Sequence, residues 1–190
     1  MTKPEIRKLY LQKRSALSAA ECIDLSQQIC NHFFSAIDLS STKVIHTFLP
    51  IEKNKEPNTW FIIDRITKEF PKIRISIPRI NNQTGGLENF YFESHEQLKQ
   101  NILGIPEPEQ GVPTEPEHID IVITPLLAFD ASGHRVGYGK GFYDKFLQTC
   151  HDHCRRIGIS FFPPVDSIDD INQHDQKLDF AITPEKTYLF

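Results

Sequence analysis

The chain has 190 residues, 39% of them hydrophobic and 24% charged, with a formal net charge of −4. That length suits one ordinary domain able to bury a core without metal or disulfide staples, and the composition excludes a disordered or membrane class, since no apolar run approaches the ~20 residues of a bilayer-spanning helix. The acidic balance argues against broad electrostatic binding to nucleic acid, but is compatible with a local basic patch that takes a small anion.

The opening Met1-Thr2-Lys3-Pro4-Glu5-Ile6-Arg7 lacks the basic-then-apolar layout of a secretory signal, so the expected compartment is the cytoplasm, with the cysteines reduced. Residues 3–17 place Ile6, Leu9, Tyr10 and Leu17 at helical spacing, with Lys3, Arg7, Lys8, Lys13 and Arg14 between them. Ser18-Ala19-Ala20-Glu21 has the form of a capping box and predicts a second helix to about Phe34. Val44 to Leu49 is a short strand ended by Pro50, and Asn58 or Thr59 is placed to cap a helix carrying Trp60, Ile62, Ile63 and Ile66. A strand from Ile73 to Ile77, closed by Pro78, is followed by the turn Asn82-Gln83-Thr84-Gly85-Gly86 and a strand from Leu87 to Phe92. Ser94-His95-Glu96-Gln97 repeats the capping-box form, and residues 104–117, rich in Pro, Gly and Glu, read as a long surface loop.

The core resumes with three further strands at Ile119 to Ile123, Arg156 to Phe161 and Phe180 to Ile182; the first is apolar but for Asp120, as in a strand buried on both faces, and the other two look similar. Between the first two lies Gly137-Tyr138-Gly139-Lys140-Gly141-Phe142-Tyr143-Asp144, then a helix from about Gly141 to Cys150. Strands alternating with helices predict a single α/β domain over residues 1–190. Its mainly parallel mixed sheet is flanked by helices in a Rossmann-like three-layer arrangement, with ligands bound beyond the carboxyl ends of the strands. The string Cys150-His151-Asp152-His153-Cys154 admits a zinc site or a solvated helix end; no second ligand pair follows at zinc-finger spacing, which favours the helix end.

The glycine run fits neither common phosphate fingerprint. A dinucleotide motif requires glycine where Phe142 stands, and a P-loop requires Ser or Thr where Gly141 stands. Two readings survive: a tight turn in which glycine supplies positive φ, or a phosphate cradle in which loop amides, a following helix and Lys140 meet an anion. Asp144, just past the aromatic pair Phe142 and Tyr143, suits a carboxylate that holds magnesium against phosphates.

The stretch from Thr124 to Phe146, TPLLAFDASGHRVGYGKGFYDKF, closely resembles the signature of the 5-formyltetrahydrofolate cyclo-ligases. Further pieces agree in order: Lys3 and Arg7 on the first helix, Phe48-Leu49-Pro50 followed by Glu56-Pro57-Asn58-Thr59, and His174-Asp175-Gln176-Lys177-Leu178-Asp179 before a last strand. The resemblance implies ATP- and Mg2+-dependent closure of 5-formyltetrahydrofolate to 5,10-methenyltetrahydrofolate through a phosphorylated formyl group, an iminium phosphate, by a monomer with small-molecule substrates and no membrane or nucleic-acid partner.

The same resemblance assigns Lys3, Arg7, Arg135, Gly137, Tyr138, Gly139, Lys140, Gly141, Phe142 and Tyr143 to ATP, with Lys140 and Arg7 catalytic. It gives Leu49, Glu56, Phe142 and Tyr143 to the folate, and Asp144 and Asp175 to the metal. Several have a plainer alternative: a solvated basic face for Lys3 and Arg7, a helix cap for Asp175, an exposed loop residue for Glu56, and core packing for Tyr138, Phe142 and Tyr143. A non-catalytic nucleotide- or folate-binding homologue is the second functional reading, and a sugar-phosphate enzyme, by fold analogy, the third.

Overall fold

Reciprocal capping opens the first two helices of the computed structural model, which describes residues 1–81, 83–101 and 104–190. The Thr2 amide donates to Glu5 at 2.8 Å to start α1, Lys3–Ala16. Ser18 and Glu21 form the predicted box at the start of α2, Ala19–Ala36: the Glu21 amide donates to Ser18 Oγ at 3.2 Å and the Ser18 amide to Glu21 at 2.7 Å.

Strand β1, Val44–Thr47, is buried throughout. Helix α3, Trp60–Glu69, has Asn58 accepting the Trp60 amide at 3.1 Å, while the Thr59 hydroxyl donates back to the Phe48 carbonyl at 2.7 Å and ties the helix start to the end of β1.

Strand β2, Arg74–Asn81, runs past Pro78, where the sequence predicted its end. Its pairing with β1 stops at Ser76, and from there it pairs only with β3, Gly86–Tyr91, so the proline sits where the sheet has lost one neighbour and costs least. Asn82 of the predicted turn lies outside the described residues.

The Ser94 box opens no α-helix. Gln97 instead accepts the Glu93 amide at 3.0 Å and donates to the Tyr91 carbonyl at 2.8 Å, leaving one 3-10 turn before β4, Leu98–Gln100. The expected loop over 104–117 also carries structure: β5, Pro106–Pro108, pairs antiparallel with β4.

Strand β6, Ile121–Pro125, leads into a hairpin of β7, Ala128–Phe129, and β8, Arg135–Val136. Helix α4 spans only Phe142–Leu147, well short of Cys150, and β9, Arg155–Ile159, β10, Phe180–Ile182, and β11, Thr187–Leu189, complete the chain.

The sheet order is β11-β10-β9-β6-β1-β2-β3. Its five central strands are parallel and the two edge strands antiparallel. The parallel order β2-β1-β6-β9-β10 is the flavodoxin-like variant of the doubly wound sheet.

Side-chain alternation sorts the faces. Ile45, Ile75, Ile77, Ile121, Ile123, Ile157 and Ile159 pack in one cluster with Ile29 and Phe33 of α2 and Ile62, Ile63 and Ile66 of α3. Val44 and Val122, one residue out of step, face the other way and pack with Phe146 and Leu147 of α4. The apolar runs are thus buried on both faces, as parallel strands between helices require. Helix α1 joins neither face: Ile6 and Tyr10 pack with Leu127, Ala128 and Val136 of the hairpin, which hangs α1 beside the chain segment after β8.

Candidate active site

From β1 the chain moves to β2 on one side, while β6 lies on the other, so the connections diverge and open a crevice at the carboxyl ends of β1 and β6. A cavity of about 540 Å³ occupies it, bounded by Phe48 and Leu49 after β1 and by Pro125 at the end of β6. Every candidate site residue lines this one cavity: Lys3, Arg7, Leu49, Glu56, Arg135, Gly137 to Tyr143, Asp144 and Asp175. They come from α1, the segment after β1, the hairpin, the glycine loop, α4 and the loop before β10.

The glycine loop follows the two-residue β8 rather than a core strand, and α4 is less than two full turns long. Its dipole is therefore a small contribution, and the cradle rests on the loop and its cations. Gly139 and Gly141 have φ of +90° and +70°, so the turn needs glycine there. Gly139 also has a second reason. A β-carbon at that position would lie 3.1 Å from Arg7 Cζ, because the Arg7 guanidinium lies against the loop and donates from Nε to the Gly137 carbonyl at 2.8 Å. Arg7 therefore belongs to the loop and not to a solvated basic face.

At the same end, cations and carboxylates alternate. Lys3 Nζ pairs with Asp175, with side chains only 12% and 17% exposed. Arg135 donates to Asp144 Oδ1 at 2.7 Å and to the Gln176 carbonyl, while the Gln176 amide donates to Asp144 at 3.1 Å. Burial pushes the Asp175 carboxyl up, but the Asn172 amide and Lys3 outweigh it and hold the group below its ordinary value. Asp175 closes a turn with that amide at 2.8 Å and caps no helix. Lys140 is exposed and, among the described residues, makes no hydrogen bond or ion pair.

Asp144 and Asp175 are thus brought to one end of the cavity, while no group of three or more potential metal ligands occurs among the described residues. Magnesium is commonly held by one or two carboxylates together with phosphate oxygens and waters. The donor set fits a magnesium ion that arrives with a polyphosphate better than a resident metal.

The same cavity is lined by Glu56, which is 6% exposed and so no surface loop residue. Its Oε2 accepts the Ile51 amide at 2.8 Å and its Oε1 the Tyr138 hydroxyl at 2.5 Å. Burial raises the carboxyl above its ordinary value, and the two bonds oppose that rise. Leu49 is buried on the cavity wall, and Phe142 and Tyr143 line it from the start of α4. Tyr143 is also a core residue: it packs against Phe146, and its hydroxyl lies 3.4 Å from His46. Burial raises the Tyr143 hydroxyl and pushes the His46 imidazole down to about 3, leaving both neutral near pH 7.

Sequence reasoning assigned no role in the site to Arg14, His46 or the Ile51 amide. Arg14 had a usable signal, since it stands two helical turns after Arg7 on the same face. His46 had a weaker one, as an imidazole within a run that is otherwise buried strand. The Cys150 to Cys154 string is not a helix end, because α4 stops at Leu147. It forms a turn whose His153 amide donates to His151 Nδ1 at 3.2 Å, and Cys154 is buried against Phe146 and Leu147.

Residues 1–184 match the model of the 5-formyltetrahydrofolate cyclo-ligase family. A 5-formyltetrahydrofolate cyclo-ligase of Mycoplasma pneumoniae is 29% identical over 187 residues, covering 97% of this chain and 100% of that protein. One of Escherichia coli is 26% identical over 181 residues, covering 93% and 97%. Among solved structures, the 5,10-methenyltetrahydrofolate synthetase of Aquifex aeolicus superposes with a TM-score of 0.77 at 25% identity, covering 100% of this chain and 93% of that one. The synthetase of Mycoplasma pneumoniae gives 0.75 at 26%, covering 97% and 99%. With a family model matched over nearly its whole length and the same fold in these synthetases, the chain belongs to the 5-formyltetrahydrofolate cyclo-ligase family.

Proposed function

We propose that residues 1–190 form one cyclo-ligase domain that closes 5-formyltetrahydrofolate to 5,10-methenyltetrahydrofolate with ATP and Mg2+, releasing ADP and phosphate. The observation that carries this reading is a single cavity lined both by Lys3, Arg7, Arg135, Lys140, Asp144 and Asp175 and by the buried Glu56. Family membership supplies the folate and ATP as small-molecule substrates.

The formyl group is an amide, and its resonance makes the oxygen a poor leaving group. Phosphorylation of that oxygen gives an iminium phosphate that the neighbouring folate nitrogen attacks, and loss of phosphate completes the ring. For such a transfer the protein aligns two ligands and neutralises charge. Arg7 and the glycine-loop amides hold the polyphosphate. Lys140, a cation with no partner of its own among the described residues, is suited to the transferring phosphoryl. Asp144 and Asp175 would hold magnesium, which supplies charge neutralisation on the phosphates. Glu56 accepts from the amino and ring N–H groups of the pterin, and Leu49, Phe142 and Tyr143 wall it.

Mixing the protein with 5-formyltetrahydrofolate, Mg2+ and ATP should produce the near-ultraviolet absorbance of the methenyl product together with ADP. Absence of both refutes the reading. We further propose a cytoplasmic monomer, which size-exclusion chromatography with light scattering tests as to size; among the described residues no helix is long and apolar enough to cross a membrane.

A further inference from the structure

Arg14 is 3% exposed, and a guanidinium buried to that degree requires partners. It donates from Nη1 to the Tyr138 hydroxyl at 2.8 Å and from Nη2 to the Leu126 carbonyl at 2.6 Å, just past the end of β6. Tyr138 in turn donates its proton to Glu56 at 2.5 Å. One line of hydrogen bonds therefore runs from α1, through the glycine loop, to the Glu56 carboxylate on the cavity wall.

Its members differ in position. Tyr138 and Glu56 line the cavity, while Arg14 lies behind them and reaches the site only through Tyr138. The Tyr138 hydroxyl is fully used, accepting from a cation and donating to a carboxylate, which makes both bonds charge-assisted and mutually polarising. Tyr138 is also flanked by Gly137, whose carbonyl is bonded to Arg7, and by Gly139, against which Arg7 lies. A displacement of the loop on binding a polyphosphate would therefore move the tyrosine that bonds Glu56.

Resting on the cyclo-ligase reading of this site, we propose that Arg14 and Tyr138 are positioning residues that couple the nucleotide loop to the Glu56 carboxylate, so that nucleotide and formylfolate bind cooperatively. The coupling is reciprocal: each ligand tightens the other by the same factor. A purely structural tyrosine would support both ends without linking them.

The test is calorimetric titration of 5-formyltetrahydrofolate into the wild type and Tyr138→Phe, with and without a non-hydrolysable ATP analogue and Mg2+. Phenylalanine keeps the ring and deletes the shared hydroxyl, while Arg14 retains the Leu126 carbonyl and Glu56 the Ile51 amide, and a cooperative thermal unfolding transition checks that the variant is folded. The analogue should tighten folate binding to the wild type by about fivefold or more, and this factor should fall towards one in Tyr138→Phe. In steady state the same variant should raise the KM for formylfolate more than it lowers kcat. A wild type that binds both ligands without coupling, or a Tyr138→Phe that retains the wild-type factor, overturns the relay alone. A wild type that binds neither ligand overturns the cyclo-ligase reading together with it.

Discussion

Replacing Gly139 by alanine separates the two reasons for its glycine. Its φ of +90° places an L-residue in the left-handed region, at about 1–2 kcal/mol. The new β-carbon would stand 3.1 Å from Arg7 Cζ, which is the tip of a flexible side chain and can yield by a few tenths of an ångström. The contact itself therefore costs little stability, and a loss of ~1–2 kcal/mol in a chain of this size lowers Tm by about 2–8 °C. The functional cost is larger. Shifting Arg7 stretches its 2.8 Å bond to the Gly137 carbonyl and moves the guanidinium assigned to the polyphosphate, and loss of one charged hydrogen bond to that ligand, about 1.5–3 kcal/mol, corresponds to roughly ten- to a hundredfold in the KM for ATP. Gly137→Ala is the control for stability, since Gly137 lacks a positive φ and a β-carbon there meets nothing within 4 Å. Thermal unfolding and ATP-dependent turnover measure both effects. A Gly139→Ala protein with wild-type Tm and KM, or one no different from Gly137→Ala in Tm, would refute the argument.

Lys140→Ala should lower kcat by about 10²–10³ while leaving the formylfolate Kd nearly unchanged, because its charge is assigned to the transferring phosphoryl; unchanged turnover removes Lys140 from the mechanism. Asp144→Asn keeps an oxygen for Arg135 but deletes the charge. It should raise the Mg2+ concentration for half-maximal rate by about tenfold or more, since a carboxylate ~4 Å from a cation is worth several kcal/mol at a protein surface. A magnesium titration superimposable on that of the wild type sinks the metal assignment. Glu56 has a raised folded-state pKa, so its ionisation opposes folding: the native state retains the proton longer, and stability is lost as pH rises from the ordinary glutamate range through the raised value. Glu56→Gln removes that dependence, and its Tm relative to wild type should climb as pH rises from the ordinary glutamate range. A difference that stays level or falls contradicts the burial argument.

Where the local rule and the tertiary demand agreed, the elements were legible before folding. Ser18 with Glu21 cap α2, and the continuous apolar run of β6 is flanked by helices because parallel strands bury both faces. Where a local signal had a competing partner, it misled. Gln97 completes a capping pattern but is claimed by Glu93 and Tyr91, and Pro78 reads as a strand end but sits where β1 has already stopped.

The residue types of the site were visible in the sequence, from the cations at Lys3, Arg7 and Lys140 to the carboxylates at Glu56, Asp144 and Asp175, because charge and glycine are properties of single positions. Their meaning depended on burial and direction, which are properties of the whole fold. Glu56 among Glu52, Lys53 and Lys55 has the composition of a solvated loop, yet Tyr138, eighty-two residues on, and the Ile51 amide make it a buried acceptor. Arg14 has the sequence of a surface helix cation, and only the docking of α1 against the β7–β8 hairpin turns it inward. Sequence alone determined which residue types the chain carries and where they stand in it; the divergence of the β1 and β6 connections decided that these groups line a single cavity.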